Sequence, residues 1–226
     1  MIFYTTGNNI HNNKLPLIGD IEKARDILIK NNISKTPLQK SKTFSEITGF
    51  NLYLKIESLQ KTGTFKVRGA FYKIDKISKE KIKNSNGVIA ASAGNHAQGV
   101  AYAARIKNIP CVIVMPKNAS LSKVTATKSY GAKVILEGAD YDESFNIAQQ
   151  IAMDENLELI SAYDDYDIIT GQGTIGLEII EDLPDVDEIY IPIGGGGLAA
   201  GIALAIKARN PNVKIIGVES EAYHPF

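Results

Sequence analysis

The sequence predicts an α/β fold in which parallel sheets are covered by helices on both faces. Two observations carry that expectation. From Gly87 onward, short apolar runs alternate with helix-like stretches of about ten residues or more, the pattern of strands joined by crossover helices. Three loops of unusual chemistry fall where a strand-like run feeds a helix-like one, which is where such sheets bind ligands. Crossovers of this kind wind right-handed. At 226 residues and 44% hydrophobic content, the chain suits one large or two small domains and can bury a substantial core.

In order along the chain, residues 1–20 read as a loop or variable tail. Asp20 reads as the N-cap of a helix from Ile21 to Lys30, in which Ile21, Ala24, Ile27 and Leu28 recur at helical spacing. Pro37 prevents that helix from continuing through Ser34 to Lys40. Thr43 to Thr48 is a short helix-like piece stopped by Gly49. Asn51 to Glu57 reads as a strand and Ala70 to Ile82 as a helix. The later strands are expected at Gly87–Ala91, Pro110–Met115, Lys133–Leu136, Leu157–Ile160, Asp187–Ile193 and Val213–Val218. The intervening helices are expected at Asn95–Lys107, Ser120–Tyr130, Tyr141–Asp154, Thr170–Glu181 and Leu198–Ala208. There is no internal repeat and no low-complexity segment.

Composition narrows the function classes. Lys+Arg and Asp+Glu are 25 each, so no charge field points to nucleic acid or to an anionic membrane. The single cysteine, Cys111, lies in the strand-like run Ile109–Met115 and reads as a buried, inert thiol, which fits a reducing compartment. Residues 1–20 lack the apolar stretch of a signal peptide, and nothing is long and apolar enough to span a bilayer. The three histidines, His11, His96 and His224, show no metal-ligand spacing, so no metal is expected.

The chemistry sits in the three loops. In Thr62-Gly-Thr-Phe-Lys66-Val-Arg-Gly-Ala70, Lys66 stands at the mouth of a helix with Phe65 and Val67 flanking its stem. A lysine drawn partly out of water loses proton affinity, and its neutral amine can form a Schiff base with a carbonyl. The ordinary alternative is an exposed lysine. Gly194-Gly-Gly-Gly197 lies between the strand Ile189–Ile193 and a helix opened by Leu198, so its bared N–H groups and the helix dipole suit a phosphate. Gly194, Gly196 and Ala199 also satisfy a loose dinucleotide fingerprint, with Glu219 placed as a ribose-binding acid, so an NAD-binding reading stays open. The third loop, Ser92-Ala93-Gly94-Asn95-His96, precedes another helix and suits a small carboxylate; plain N-capping by Ser92 or Asn95 is the alternative. A nucleophilic lysine, a phosphate cradle and a carboxylate cradle together describe a cofactor enzyme that acts on an amino acid.

Longer motifs sharpen this. Lys55-Ile-Glu-Ser-Leu-Gln-Lys-Thr-Gly-Thr-Phe-Lys66-Val-Arg-Gly-Ala70 resembles the cofactor-lysine motif of threonine dehydratases, pyridoxal-phosphate enzymes of the tryptophan-synthase β-like group. Ala91–Gly99, Met115-Pro116 with Lys123–Thr127, Tyr130–Ala132, Gly171–Thr174 and Gly194–Leu198 resemble the same family in order and spacing, from about Thr36 to Glu219. The resemblance implies two open, mostly parallel twisted sheets with helices on both faces. Residues 1–86 and 161–226 would form the larger, cofactor-binding domain and residues 87–160 a smaller domain that closes on substrate. It implies that Lys66 carries pyridoxal 5'-phosphate, Phe65 packs near the ring, Asn95 bonds the ring hydroxyl oxygen, and Gly194, Gly195, Gly196, Gly197 and Leu198 wrap the phosphate. Ser92, Ala93, Gly94, Asn95 and His96 would bind the substrate carboxylate.

The implied reaction is deamination of L-threonine, or of L-serine, to a 2-oxo acid and ammonia by a cytoplasmic homo-oligomer in amino-acid metabolism. Related serine racemases carry a second serine where this chain has Ala93, whose methyl cannot relay a proton, so elimination is favoured over racemisation. Family members continue for roughly another hundred residues, so the C-terminal part is expected to be missing, and an inactive N-terminal fragment is the non-enzyme alternative.

Overall fold

The computed structural model describes residues 15–80 and 85–222. The expectations for His11, for His224 and for a helix end at Ile82 lie outside the described residues. The elements run α1 Ile18–Lys30, β1 Leu38–Lys40, α2 Lys42–Thr48, β2 Tyr53–Lys55, a 3-10 turn at Glu57–Leu59, and α3 Lys66–Glu80. They continue with β3 Val88–Ala91, α4 Asn95–Ile106, β4 Cys111–Met115, α5 Leu121–Ser129, β5 Lys133–Leu136, α6 Tyr141–Asp154 and β6 Glu158–Leu159. Then follow α7 Tyr166–Asp182, β7 Glu188–Pro192, α8 Gly197–Arg209 and β8 Lys214–Val218.

The α/β class holds. β5-β4-β3-β6 form a four-stranded, wholly parallel sheet, with Val88 opposite Cys111 and Glu158, and Val112 opposite Lys133. β7 and β8 form a second parallel pair, Glu188 opposite Lys214. An unforeseen antiparallel pair joins β1 to β2, with Leu38 opposite Lys55. That pair accounts for the Pro37 region: the residues after Pro37 leave the helix and enter a ladder.

Alternation explains the apolar runs. Val88 and Ala90 face one side of the four-stranded sheet and pack with Ala97, Val100 and Ala104 of α4 and with Phe71 and Ile74 of α3. Ile89 and Ala91 face the other side and pack with Ala148, Phe145 and Ile151 of α6. Because both faces are covered, the strands read as continuous hydrophobic stretches. Cys111 lies in the first of these cores, and burial pushes its thiol up to about 12, so it is unreactive at neutral pH. On β7, Ile189 and Ile191 pack with Ile175 of α7 and Ile202 of α8, while Tyr190 between them is 64% exposed. Helices therefore cover one face of that pair among the described residues.

Several helix starts differ from expectation. α1 opens at Ile18, so Asp20 lies inside the first turn; its carboxylate accepts the Leu17 N–H at 3.1 Å and the Tyr166 hydroxyl at 2.6 Å. α3 opens at Lys66 rather than at Ala70. α7 opens at Tyr166 rather than Thr170, because Asp165 accepts the N–H groups of Asp167 and Ile168 at 2.8 and 3.1 Å and caps it there.

The Gly171–Thr174 motif turns out to serve packing. A Cβ on Gly171 would lie 2.6 Å from the Gly69 Cα of α3, and one on Gly201 of α8 would lie 2.4 Å from the Ile169 carbonyl oxygen. Glycine lets three helix backbones approach this closely, which seats α3 and α8 against α7. No helix among the described residues is long and apolar enough to cross a membrane.

Candidate active site

Lys66 is the first residue of α3, and its N–H is capped by the Thr64 hydroxyl at 3.1 Å. α4 presses on it from one side: a Cβ on Gly99 would come within 3.2 Å of the Lys66 carbonyl carbon. The Lys66 Nζ donates to the Ala162 carbonyl at 2.8 Å and lies 5.4 Å from the centre of the Phe65 ring. It has no carboxylate partner among the described residues. Burial alone holds its pKa below the ordinary lysine value. A desolvated amine with no compensating anion has a larger neutral, nucleophilic fraction than an exposed lysine. The ordinary exposed-lysine reading is therefore set aside by the geometry.

The glycine loop links β7 to α8. Gly196 takes a left-handed conformation, φ 79°, and stands just ahead of Gly197, the first residue of α8. Gly195 and Gly197 are needed for another reason: a Cβ on Gly195 would lie 2.2 Å from the Tyr163 ring, and one on Gly197 would lie 2.6 Å from the Tyr163 carbonyl oxygen. A Cβ on Gly194 would meet nothing within 4 Å. The Ala200 N–H donates to Gly196 O at 2.9 Å and closes the first turn, and the N–H groups ahead of it are the orphan donors of a helix start. Leu198 packs into the apolar core beneath the loop, as does Phe65.

The Ser92–His96 loop links β3 to α4. The Ser92 hydroxyl accepts the Gly94 N–H at 3.1 Å, so it shapes the loop, and the helix N-cap is Gly94 rather than Ser92 or Asn95. Asn95 is exposed, with no hydrogen bond to its amide among the described residues. Ala93 packs against the core. The His96 ring turns inward, 3% exposed, with Nε2 3.0 Å from the Ile160 carbonyl oxygen. A carbonyl only accepts, so Nε2 carries the proton. Burial, with a smaller contribution from the nearby Lys66 charge, lowers the His96 pKa to about 4. His96 is thus a neutral structural ring, and its expected contribution to carboxylate binding is left to its backbone.

One segment touches all three loops. The strand β6 runs into Ile160–Tyr163; Ile160 O takes His96, Ala162 O takes Lys66, and Tyr163 packs on Gly195 and Gly197. The Lys66 amine and the glycine loop therefore contact adjacent residues, Ala162 and Tyr163, of one segment. Sequence reasoning missed this strap because it carries no motif. Its position directly after an expected strand, Leu157–Ile160, was the available signal.

The set fits pyridoxal phosphate by its donors: a desolvated amine for an aldehyde, a glycine-lined helix start for a phosphate, and the exposed Asn95 at the start of α4. Among the described residues no His, Cys, Asp and Glu cluster could hold a metal ion.

Comparison with known proteins agrees with this chemistry. A family profile described as pyridoxal-phosphate dependent enzyme matches residues 29–226. The L-threonine ammonia-lyase of Thermotoga maritima is 53% identical over 202 residues, covering 89% of this chain and 50% of that protein. Among solved structures, maize serine racemase superposes with a TM-score of 0.87 at 36% identity, covering 92% of this chain and 62% of that one. The processed form of threonine deaminase isoform 2 from Solanum lycopersicum superposes with a TM-score of 0.81 at 35% identity, covering 96% of this chain and 61% of that one. The chain thus spans about half the length of the Thermotoga protein it matches.

Proposed function

The chain belongs to the family of pyridoxal-phosphate dependent enzymes, and from that premise we propose that it carries the cofactor and substrate site of an L-threonine ammonia-lyase. The net reaction converts L-threonine to 2-oxobutanoate and ammonia, with L-serine as a second substrate of the same chemistry. The observation that carries the reading is the Lys66 amine, partly buried with no anion among the described residues and bonded to Ala162, whose neighbour Tyr163 packs on the glycine loop.

When bound, pyridoxal phosphate supplies an aldehyde that amines attack and a ring that accepts an electron pair. Lys66 would hold it through Nζ, Asn95 would bond its ring oxygen, and the Gly194–Leu198 amides would hold its phosphate, with Phe65 packed alongside. The Ser92–His96 loop would grip the substrate carboxylate with backbone donors at the start of α4. Lys66 Nζ would be the base that takes the proton from the substrate Cα, a role suited to a lysine whose pKa burial has lowered. Residues 87–160 would form the lobe that closes on the rest and excludes water. From the same family resemblance we also propose that the protein works as a cytoplasmic homo-oligomer.

Two other readings are weaker. By the resemblance to serine racemases, a racemase would carry a proton-relaying serine where this chain has the methyl of Ala93. A nicotinamide reading of the glycine loop leaves the buried Lys66 amine unused. The test is borohydride reduction of the full-length protein loaded with pyridoxal phosphate, followed by peptide mapping and assay of 2-oxo acid from L-threonine. The cofactor should be fixed on Lys66, and Lys66→Ala should lower turnover by about a thousandfold or more. Fixation on another lysine, or normal turnover without Lys66, overturns the reading.

A further inference from the structure

Behind Lys66 lies a buried ionic cluster that belongs to none of the three loops. Arg68 is 1% exposed. Its Nη1 donates to Glu178 Oε1 at 2.6 Å and to the Thr174 hydroxyl at 3.2 Å. Its Nη2 donates to Glu178 Oε2 at 3.0 Å and to Glu57 Oε1 at 2.8 Å, and its Nε to Glu57 Oε2 at 2.8 Å. Lys55 Nζ lies 2.7 Å from Glu178 Oε2 and donates to the Thr36 carbonyl at 2.6 Å. Two cations thus face two carboxylates, and the guanidinium grips each carboxylate through two nitrogens.

Stability alone is a poor reason for this arrangement, because an apolar side chain of similar volume often holds a core equally well. What a forked guanidinium adds is direction: two planar grips define an orientation that a greasy contact does not. The Gly69–Gly171 contact, with the Gln172 side chain and the Ile168 carbonyl also against Gly69, sets how close α3 lies to α7, and the Arg68 fork adds to it a directional constraint on the rotation of α3 about its axis. Arg68 lies two residues past Lys66, about 200° around the helix, so the two side chains leave nearly opposite faces of α3. Turning the first turn by roughly ten degrees would swing the end of an extended lysine by about an ångström.

We propose that Arg68 is a positioning residue for Lys66: clamped between Glu57 of the 3-10 turn and Glu178 of α7, it sets the rotation of the first turn of α3 and so aims Nζ at the Ala162 strap. This rests on Lys66 being the reactive amine. Arg68→Lys keeps a cation but loses the fork, and Glu57→Gln keeps the shape but loses one carboxylate charge. Both are made in the full-length protein and checked for folding by circular dichroism. The first readout is trace acetylation of the cofactor-free protein across pH, with the Lys66 peptide followed by mass spectrometry and the 90% exposed side chain of Lys42 as reference. The second is the rate at which added pyridoxal phosphate becomes fixable on Lys66.

In folded variants the Lys66 midpoint should rise above its wild-type value, and fixation should slow roughly tenfold, the order of loss that follows small misplacement of a reacting group. A folded variant with the wild-type midpoint and fixation rate overturns the proposal. If Arg68→Lys does not fold, Glu57→Gln decides by the same criterion. Wild-type protein that never takes the cofactor on Lys66 overturns the functional reading instead, while the acetylation midpoints still judge Arg68.

Discussion

At the scale of single residues, burial sets what each ionisable group can do. His96 ends the Ser92–His96 loop, and its ring is enclosed and donates to the Ile160 carbonyl. Its folded-state pKa of about 4 lies below the ordinary value of 6.5. As pH falls from 6.5, the unfolded chain takes up a proton that the folded chain refuses. The stability from the neutral ring is therefore present above 6.5 and lost as pH falls to about 4. The loss should approach about 3 kcal/mol. His96→Gln keeps a donor for Ile160 but does not titrate, so its acid destabilisation should be shallower across that window. Denaturant midpoints measured at several pH values will show the difference, and parallel curves would mean that the ring is charged in the folded protein. Lys66 follows the same physics, but no residue pattern revealed that its amine would find only a carbonyl.

At the scale of elements, the glycines of α7 and α8 are the informative positions. By helix propensity alone, Gly201→Ala should stabilise α8 by about 1 kcal/mol. A Cβ there would instead sit 2.4 Å from the Ile169 carbonyl and 2.6 Å from the Gly173 nitrogen, both backbone atoms that cannot rotate away. The helices must separate, and a net loss of about 2 kcal/mol is expected from such overpacking. Gly19→Ala in α1 meets nothing within 4 Å and serves as the control, neutral or slightly stabilising. Urea denaturation of both variants distinguishes packing from propensity; a stabilised Gly201→Ala would mean that α7 and α8 are not in close contact. The starts of α3 and α7 lie earlier than hydrophobic spacing suggests because Thr64 and Asp165 cap them there.

At the scale of the whole molecule, the candidate site joins distant stretches of chain through the strap that runs from β6 to α7. Lys66 bonds Ala162 of that strap, and Gly195 and Gly197 of the Gly194–Leu198 loop pack on its neighbour Tyr163. A ligand with both an aldehyde and a phosphate should engage both ends. Pyridoxal phosphate at about a hundred times its dissociation constant should therefore stabilise the full-length protein by about 2.7 kcal/mol. Inorganic phosphate at the same concentration should shift the unfolding temperature far less. Equal shifts from the two ligands would mean that only the phosphate end binds, and that the lysine and the glycine loop do not act together.

The α/β class, most element positions, the Lys66 turn and both helix-start loops could be read from residue patterns, because alternation, glycine placement and helix-start chemistry are local properties. Hydrophobic runs at β3 and β4 reported burial on both faces of a sheet before any contact was known. The strap at Ile160–Tyr163, the inward turn of His96 and the four-charge cluster around Arg68 were not readable in that way. Each depends on a carbonyl, a ring or a carboxylate from far along the chain arriving within hydrogen-bond distance. Such meetings are set by how helices pack on sheets, and packing is a property of the assembled fold rather than of any stretch of residues.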